Sequence, residues 1–114
     1  YTALSGNTTL YKMPKSGVIS FLLADNNPVR LNPVAAGSTV AVTGTTGLTA
    51  TVMGGSPVPS SLNATYVSVA VSFADTVSDG TITLNITSPG GLTTTISQGV
   101  SMSATAAPGS TLCH

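Results

Sequence analysis

The side chains that could perform nucleophilic or acid–base chemistry are few in this chain. The only histidine, His114, is the last residue and directly follows the only cysteine, Cys113. A hydrolytic triad needs a nucleophile, a histidine held in place to take its proton, and an acid that orients the histidine. A terminal imidazole lacks the packing that would hold it. The sequence therefore predicts no Ser/His or Cys/His catalysis.

The carboxylates are three aspartates, Asp25, Asp75 and Asp79, and there is no glutamate. Glycoside cleavage needs two carboxylates held about 5 to 10 Å apart. All three aspartates lie in predicted turns, where Asp is favoured because its side chain hydrogen-bonds to the local backbone. We interpret them as turn residues and predict that the chain is not an enzyme.

Metal binding is restricted by the same shortage of ligands. One cysteine and one histidine cannot supply the three or four ligands of a transition-metal site. Calcium is different, because it takes carboxylate, carbonyl and amide oxygens. Asp25 and Asp75 would leave their strands at the same end of a sandwich if those strands ran parallel in space. Asp25, Asp75 and Asp79 are therefore calcium candidates, although their spacing matches no calcium loop, and no cofactor is predicted.

Charge is scarce along the whole chain. The 114 residues include three basic and three acidic side chains, and the net charge is zero, whereas about a quarter of the residues in ordinary soluble proteins are charged. Three cations give no electrostatic surface for phosphates, so nucleic-acid binding is not predicted. No apolar run approaches the roughly 20 residues of a membrane-spanning helix. The abundance of Thr, Ser, Gly and Ala is common in exported bacterial proteins.

Two surface features bear on ligands and modification. Tyr66 is a candidate for ligand binding, because exposed aromatic rings stack on sugars, but a carbohydrate-binding face usually presents two or three of them. A rim residue with its hydroxyl in water is the simpler interpretation. The sequons N-x-S/T occur at Asn7, Asn63 and Asn85. Chance alone gives about this many in a chain so rich in Ser and Thr.

The elements that must position these residues are organised around residues 65–87. Valines alternate with small residues from Val67 to Phe73, and aliphatic residues alternate with polar ones from Ile82 to Ile86. A two-residue period predicts half-buried strands, because successive side chains point to opposite sides of a sheet. Two strands are not stable alone. We therefore expect this pair to form the inner wall of a sandwich.

Further strands are predicted on both sides of this pair, at 18–23, 39–43, 48–53 and 92–104. Strands 39–43 and 48–53 flank a Gly-Thr-Thr-Gly turn and are predicted to form an antiparallel hairpin. A second turn, at 88–91, leads into the last strand, where Gly99 predicts a bulge. Seven or eight short strands separated by Gly, Pro and Asn turns predict an all-β fold, an antiparallel β-sandwich.

We divide the chain into an N-terminal segment or linker at 1–17, a sandwich domain at 18–104 and a flexible C-terminal tail at 105–114. Residues 8–13 could form one strand or belong to the linker. Because the chain opens abruptly at Tyr1, we expect it to be part of a longer protein.

A resemblance to a known family follows from three stretches. Residues 33–42 read Pro-Val-Ala-Ala-Gly-Ser-Thr-Val-Ala-Val, residues 80–87 read Gly-Thr-Ile-Thr-Leu-Asn-Ile-Thr, and residues 88–91 read Ser-Pro-Gly-Gly. Together they resemble the bacterial immunoglobulin-like modules of surface and secreted proteins, and the resemblance covers residues 24–104. The chain lacks the cysteine pair and the tryptophan of antibody-type domains.

The resemblance implies an immunoglobulin-like β-sandwich of about seven to eight strands and a non-catalytic structural, adhesion or spacer module. Its expected location is extracellular or at the cell surface of a bacterium. Its expected partners are the neighbouring domains of a longer chain, with a protein or glycan ligand as a further partner. Two alternatives stay open: a carbohydrate-binding accessory module, and a self-assembling subunit of the virion or pilus type.

Overall fold

A computed structural model describes residues 10–24, 34–58, 64–104 and 110–113, and in these ranges the fold is all-β, without a helix. Eight strands lie within the described ranges. They are β1 (Tyr11–Met13), β2 (Ser16–Ala24), β3 (Thr39–Gly44), β4 (Leu48–Gly54), β5 (Ala64–Phe73), β6 (Asp79–Thr87), β7 (Thr93–Met102) and β8 (Ser110–Cys113).

The strands form two four-stranded sheets that pack face to face. Sheet A has the order β1-β7-β6-β3, and sheet B has the order β4-β5-β2-β8. Neighbouring strands are antiparallel within each sheet, except that β1 runs parallel to β7 and β8 runs parallel to β2. The predicted all-β sandwich of seven to eight strands is confirmed, with two parallel pairs at its edges.

The core lies between the sheets and is made of the inward side chains. Val67, Val69 and Val71 are buried on β5, whereas Tyr66 points outward and is exposed. The predicted alternation is therefore correct. The buried apolar residues are Met13, Ile19, Phe21, Leu23, Val34, Val40, Leu48, Val58, Val67, Val69, Val71, Phe73, Ile82, Leu84, Ile86, Ile96 and Val100.

The predicted hairpin between β3 and β4 is wrong, because the two strands belong to different sheets. Strand β3 pairs with β6, and β4 pairs with β5. The turn between them is shared by both sheets. The Thr45 N–H donates to the Thr81 carbonyl of sheet A at 3.1 Å, and the Ala74 N–H, beyond the end of β5, donates to the Gly47 carbonyl at 2.8 Å. The chain thus crosses the sandwich here.

The prediction that the two central strands, β5 and β6, form one wall of the sandwich is also wrong, because they belong to different sheets. Strand β5 lies between β4 and β2, and β6 lies between β7 and β3. Their alternating apolar faces meet across the core instead of within one sheet. Alternation decides which face of a strand is buried, and it is the same for a hairpin and for a connection between sheets.

The predicted turn at 88–91 is confirmed, and it connects β6 and β7 as a hairpin. The Ser88 N–H donates to the Leu92 carbonyl at 2.8 Å, and the register runs without interruption from Thr87 opposite Thr93 to Asp79 opposite Ser101. The predicted bulge at Gly99 is therefore absent. An irregularity of this kind occurs instead in β4, between Val52 and Gly54.

The sandwich extends beyond the predicted domain range of 18–104 at both ends. Met13, in the predicted N-terminal segment, is buried in the core, and β1 pairs with β7. Leu112, in the predicted C-terminal tail, lies opposite Phe21 and packs against the core. Both short strands are held by an apolar contact together with backbone pairing.

Candidate functional site

The calcium prediction required that β2 and β5 run parallel, and this premise is wrong. The two strands are antiparallel, with Ser16 opposite Ser72 and Ala24 opposite Ala64. Asp75 therefore follows β5 at the end of the sheet where β2 begins, and Ala24 ends β2 at the opposite end. Asp25 itself lies outside the described residues.

Asp75 forms an ion pair with Lys15, which precedes β2. The Lys15 Nζ donates a hydrogen bond to the Asp75 Oδ1, and both side chains are exposed. This hydrogen bond and the lysine charge hold the pKa of the Asp75 carboxyl below its ordinary value of 3.8. The Lys15 ammonium group of the same chain thus stabilises the ionised carboxylate of Asp75, which indicates a structural role for this side chain.

Asp79, the third candidate, begins β6 at the same end of the sandwich. It lies opposite Ser101 of β7, and Lys12 of β1 lies on the other side of Ser101. In the described ranges, no three His, Cys, Asp or Glu side chains come together as a metal site would require. Of the aspartates in these ranges, Asp75 is thus paired with Lys15, and the two do not surround a shared centre.

The remaining predicted site residues are spread over the molecule. Tyr66 is on the outward face of sheet B, opposite Leu22, whereas Tyr11 is on β1 in sheet A. These two tyrosines cannot form one stacking face. The backbone of Cys113 ends β8 opposite Leu22, and His114 and Tyr1 lie outside the described residues.

One of the three sequons is on a described strand. Asn85 lies on the outward face of β6, and its Oδ1 accepts a hydrogen bond of 2.9 Å from the Thr95 Oγ1. Asn7 and Asn63 lie outside the described residues. Asn85 thus takes part in a polar ladder across the outside of sheet A, where Thr87 and Thr93 also join their hydroxyls at 3.3 Å.

A small cavity of about 100 Å³ lies at one end of the sandwich, beside the β6–β7 hairpin. Its lining has hydroxyl groups and apolar side chains but no ionisable group. The lining residues are Val34, Ala35, Ser38, Ile86, Ser88, Leu92 and Thr94. A volume of this size suits a few water molecules, and nothing in the lining could act as an acid or a base.

A larger and shallower depression, of about 310 Å³, lies on the outward face of sheet B, across β2, β5 and β4. It is formed by small uncharged residues. They are Ser16, Gly17, Val18, Thr49, Thr51, Ala70, Val71 and Ser72. On the same outward face, Val18, Met53 and Tyr66 are 44%, 65% and 61% exposed. We call the outward residues of β4, β5 and β2 the sheet B face.

The free edge of β4 borders the sheet B face. On an antiparallel strand the N–H and C=O groups of one residue point to the same side, and successive residues point to opposite sides. The bond from the Ala74 N–H to the Gly47 carbonyl shows that Gly47 points toward β5. Thr49 and Thr51 then point toward β5 as well, whereas Ala50 and Val52 present their N–H and C=O groups at the edge.

Sequence reasoning missed this edge because the hairpin prediction covered it with β3. One signal was available: residues 34–58, which include β3 and β4, contain no charged side chain. Free edges are normally protected by lysine, by proline or by a bulge. Of these devices, β4 has the irregularity after Val52 and no charge or proline.

Comparison of the chain with family models, with curated proteins and with solved structures gives no significant match. Within the described ranges, no helix has the length and apolar character needed to cross a bilayer.

Proposed function

We propose that the chain is a non-catalytic immunoglobulin-like module that serves as a spacer or adhesion unit of an exported bacterial protein. The observation that carries this proposal is the arrangement of the first and last strands of the sandwich. Each of the two N-terminal strands lies parallel to one of the two C-terminal strands, β1 beside β7 and β2 beside β8.

The strand order supports the immunoglobulin-like part of the proposal. In a constant-type immunoglobulin domain, strands A to G form one sheet with the order A-B-E-D and another with C-F-G. If β2 to β7 are taken as B to G, sheet B contains B-E-D and sheet A contains C-F-G. The departures are at the edges, where β1 lies beside β7 and β8 takes the place beside β2.

The parallel terminal strands suit a module that carries tension. When the chain is pulled by its two ends, the load enters at the first strand, β1, and at the last strand, β8. Each is drawn along its own axis past its parallel neighbour, β7 or β2, so the hydrogen bonds of both pairs are loaded in shear. In shear, all the bonds of a strand pair resist together, whereas in a hairpin pulled apart at its open end they break one after another. A spacer between a cell surface and a ligand needs this resistance.

The proposed lack of catalysis is supported by the state of the polar groups. The Asp75 carboxylate is paired with Lys15, and the cavity beside the β6–β7 hairpin is lined by no ionisable side chain. Acid–base catalysis needs a positioned group whose pKa lies near the working pH. The described cavities offer none.

Single-molecule pulling tests the mechanical part. Met13 accepts a hydrogen bond from the Ser103 N–H, so Tyr11 and Met13 point toward β7 and Lys12 points away. Tyr11→Pro removes an N–H that faces β7, and Lys12→Pro is the matched control. We expect Tyr11→Pro to lower the force at which the domain unfolds and Lys12→Pro to leave it close to wild type. Equal unfolding forces for all three proteins would contradict a load-bearing β1.

Labelling of intact cells tests the export part, which is supported by the low charge and the Thr- and Ser-rich surface. An antibody against the purified domain is expected to label the source cells without permeabilisation. Labelling only after permeabilisation would overturn the proposed location.

A self-assembling subunit is the second candidate, favoured by the uncharged free edge of β4. A carbohydrate-binding module is favoured by no observation, since Tyr11 and Tyr66 lie on different sheets.

A further inference from the structure

We infer that the β4 edge binds the β4 edge of a second copy of this chain, antiparallel, about a two-fold axis at Thr51. This pairing would join the two B sheets into one continuous sheet. The inference depends on the geometry of β4 and not on the proposed spacer role, so the two can fail separately.

The backbone groups that the pairing needs are available at the edge. Thr49 and Thr51 direct their backbone groups to Ser72 and Ala70 of β5, with which they are in register. Ala50 and Val52 direct their N–H and C=O groups away from β5, toward the open side of β4. Within the described residues, neither residue bonds to a segment outside sheet B. Each residue offers one donor and one acceptor to a neighbouring strand.

A two-fold axis at Thr51 uses all of these groups. With Thr51 opposite Thr51 of the second copy, Ala50 of each copy lies opposite Val52 of the other. In an antiparallel ladder such a pair exchanges both of its N–H···O=C bonds. Two such pairs give four bonds, and the irregularity after Val52 limits the pairing to this short central stretch.

Charge and side-chain size also favour a second copy as the occupant. Residues 34–58 carry no charge, so two copies of this edge meet without repulsion. The side chain of Thr51 is exposed on the sheet B face, and two threonines opposite each other are a favourable cross-strand pair. A two-fold arrangement is self-complementary, since each donor of one copy meets an acceptor of the other.

The other edges are less suited to this role. On β3, the Val40 N–H donates to the Ser56 Oγ at 2.9 Å, and the Ser38 carbonyl accepts from the Val58 N–H at 2.9 Å. The segment that follows β4 therefore covers the beginning of β3. The remaining edge strands, β1 and β8, have three and four residues. Among the edges in the described ranges, β4 combines length with open backbone groups.

Disulfide trapping tests the position of the axis. In a background with Cys113→Ser, Thr51→Cys places two thiols on residues whose Cα atoms are about 4.5 Å apart, within the range that a disulfide spans. Thr49→Cys is the matched control on the same strand and face, because its two copies would be roughly 13 Å apart. Under mild oxidation we expect a covalent dimer from Thr51→Cys and little from Thr49→Cys.

Sedimentation equilibrium tests the association without a cross-link. The wild-type chain is expected to rise from its mass of 11.2 kDa toward twice that value as its concentration increases. Thr51→Lys brings two ammonium groups close together at the axis and is expected to weaken the dimer by about tenfold or more. Ser97→Lys, on the exposed outside of sheet A, should leave it unchanged.

Several outcomes would overturn the inference. They are a wild-type chain that stays monomeric at all concentrations, cross-linking of Thr49→Cys that equals that of Thr51→Cys, and equal weakening by the two lysine variants. A monomeric chain that binds a different extended peptide at β4 would also overturn it, because the occupant would then not be a second copy.

Discussion

The outward side chains of sheet A bond to one another, whereas the described outward side chains of sheet B do not. On sheet A, Thr95 donates to Asn85 at 2.9 Å and Thr87 is 3.3 Å from Thr93. Within the described part of sheet B, no outward side chains are joined in this way, and Met53 and Tyr66 are exposed instead. The same alternation of side chains thus has two results. On sheet A the outward polar groups bond to one another, whereas on sheet B the outward side chains are open to a partner.

The largest effect is expected from breaking the core that both sheets share. Leu84→Ala, at the centre of β6, removes a buried side chain and should lower the free energy of unfolding by about 2–5 kcal/mol. Thr83→Ala, the next residue on the outward face, should cost much less, since surface changes are usually within about 0.5 kcal/mol. Denaturant unfolding measures both, and similar losses would contradict the assigned faces.

A smaller loss of stability is expected from replacing a turn glycine by alanine, and the loss should differ between the turn that contains Gly47 and the turn that contains Gly91. Gly47, in the turn between sheets, has φ of 83°, and a Cβ there would collide with the Val77 side chain. Gly91, in the hairpin of sheet A, has φ of 90° and open space around it. Gly91→Ala should cost about 1–2 kcal/mol for the backbone alone, and Gly47→Ala should cost more because Val77 must also move. Thermal unfolding measures both losses of stability. A larger loss for Gly91→Ala than for Gly47→Ala would contradict the close contact between Gly47 and Val77.

Substitutions on the outward faces sharpen the comparison directly. Thr95→Val removes the hydrogen bond to Asn85 and should destabilise the domain by about 1 kcal/mol. Ser72→Val, on the sheet B face, removes no such bond and gains strand propensity, so it should be neutral or slightly stabilising. Equal losses measured by denaturant unfolding would mean that the two faces do not differ.

The smallest effect concerns the Lys15–Asp75 pair at the end of sheet B. Lys15 lowers the pKa of Asp75 below 3.8 in the folded chain. The pair therefore stabilises the fold at pH values above the unfolded-state pKa, and this stabilisation is lost as the pH falls through the folded-state pKa.

Asp75→Asn should reduce the acid dependence of the unfolding midpoint from about pH 5 downward. Lys15→Met is the control for the same pair and should have a similar effect. If all three proteins lose stability equally on acidification, the pair contributes nothing.

The sequence was sufficient for the fold class and for the buried face of most strands. Val67 to Phe73 and Ile82 to Ile86 were assigned to the correct sides, because burial alone sets their alternation. Pairing partners could not be predicted in the same way. A short Gly-rich turn such as 44–47 suits a hairpin and equally a crossing between sheets, and only contacts distant in sequence decide between them.

The short edge strands and the surfaces were harder to predict. Tyr11–Met13 and Ser110–Cys113 are too short to show a period, and their places depend on the buried Met13 and on Leu112. The partner of Asp75 lies 60 residues away in sequence, so its role as an ion-pair member could not be predicted. For the open edge of β4, the one indication in the sequence is that residues 34–58 contain no charged side chain.

Residue-level amide hydrogen exchange of β4, measured by NMR in dilute solution, tests the central claim that this strand is an open edge of sheet B. Thr49 and Thr51 should exchange slowly, because they bond to β5, while Ala50 and Val52 should exchange rapidly and become protected only as the concentration rises. Equal protection of all four amides in the monomer would contradict the claim, since β4 would then have a second neighbour within its own chain.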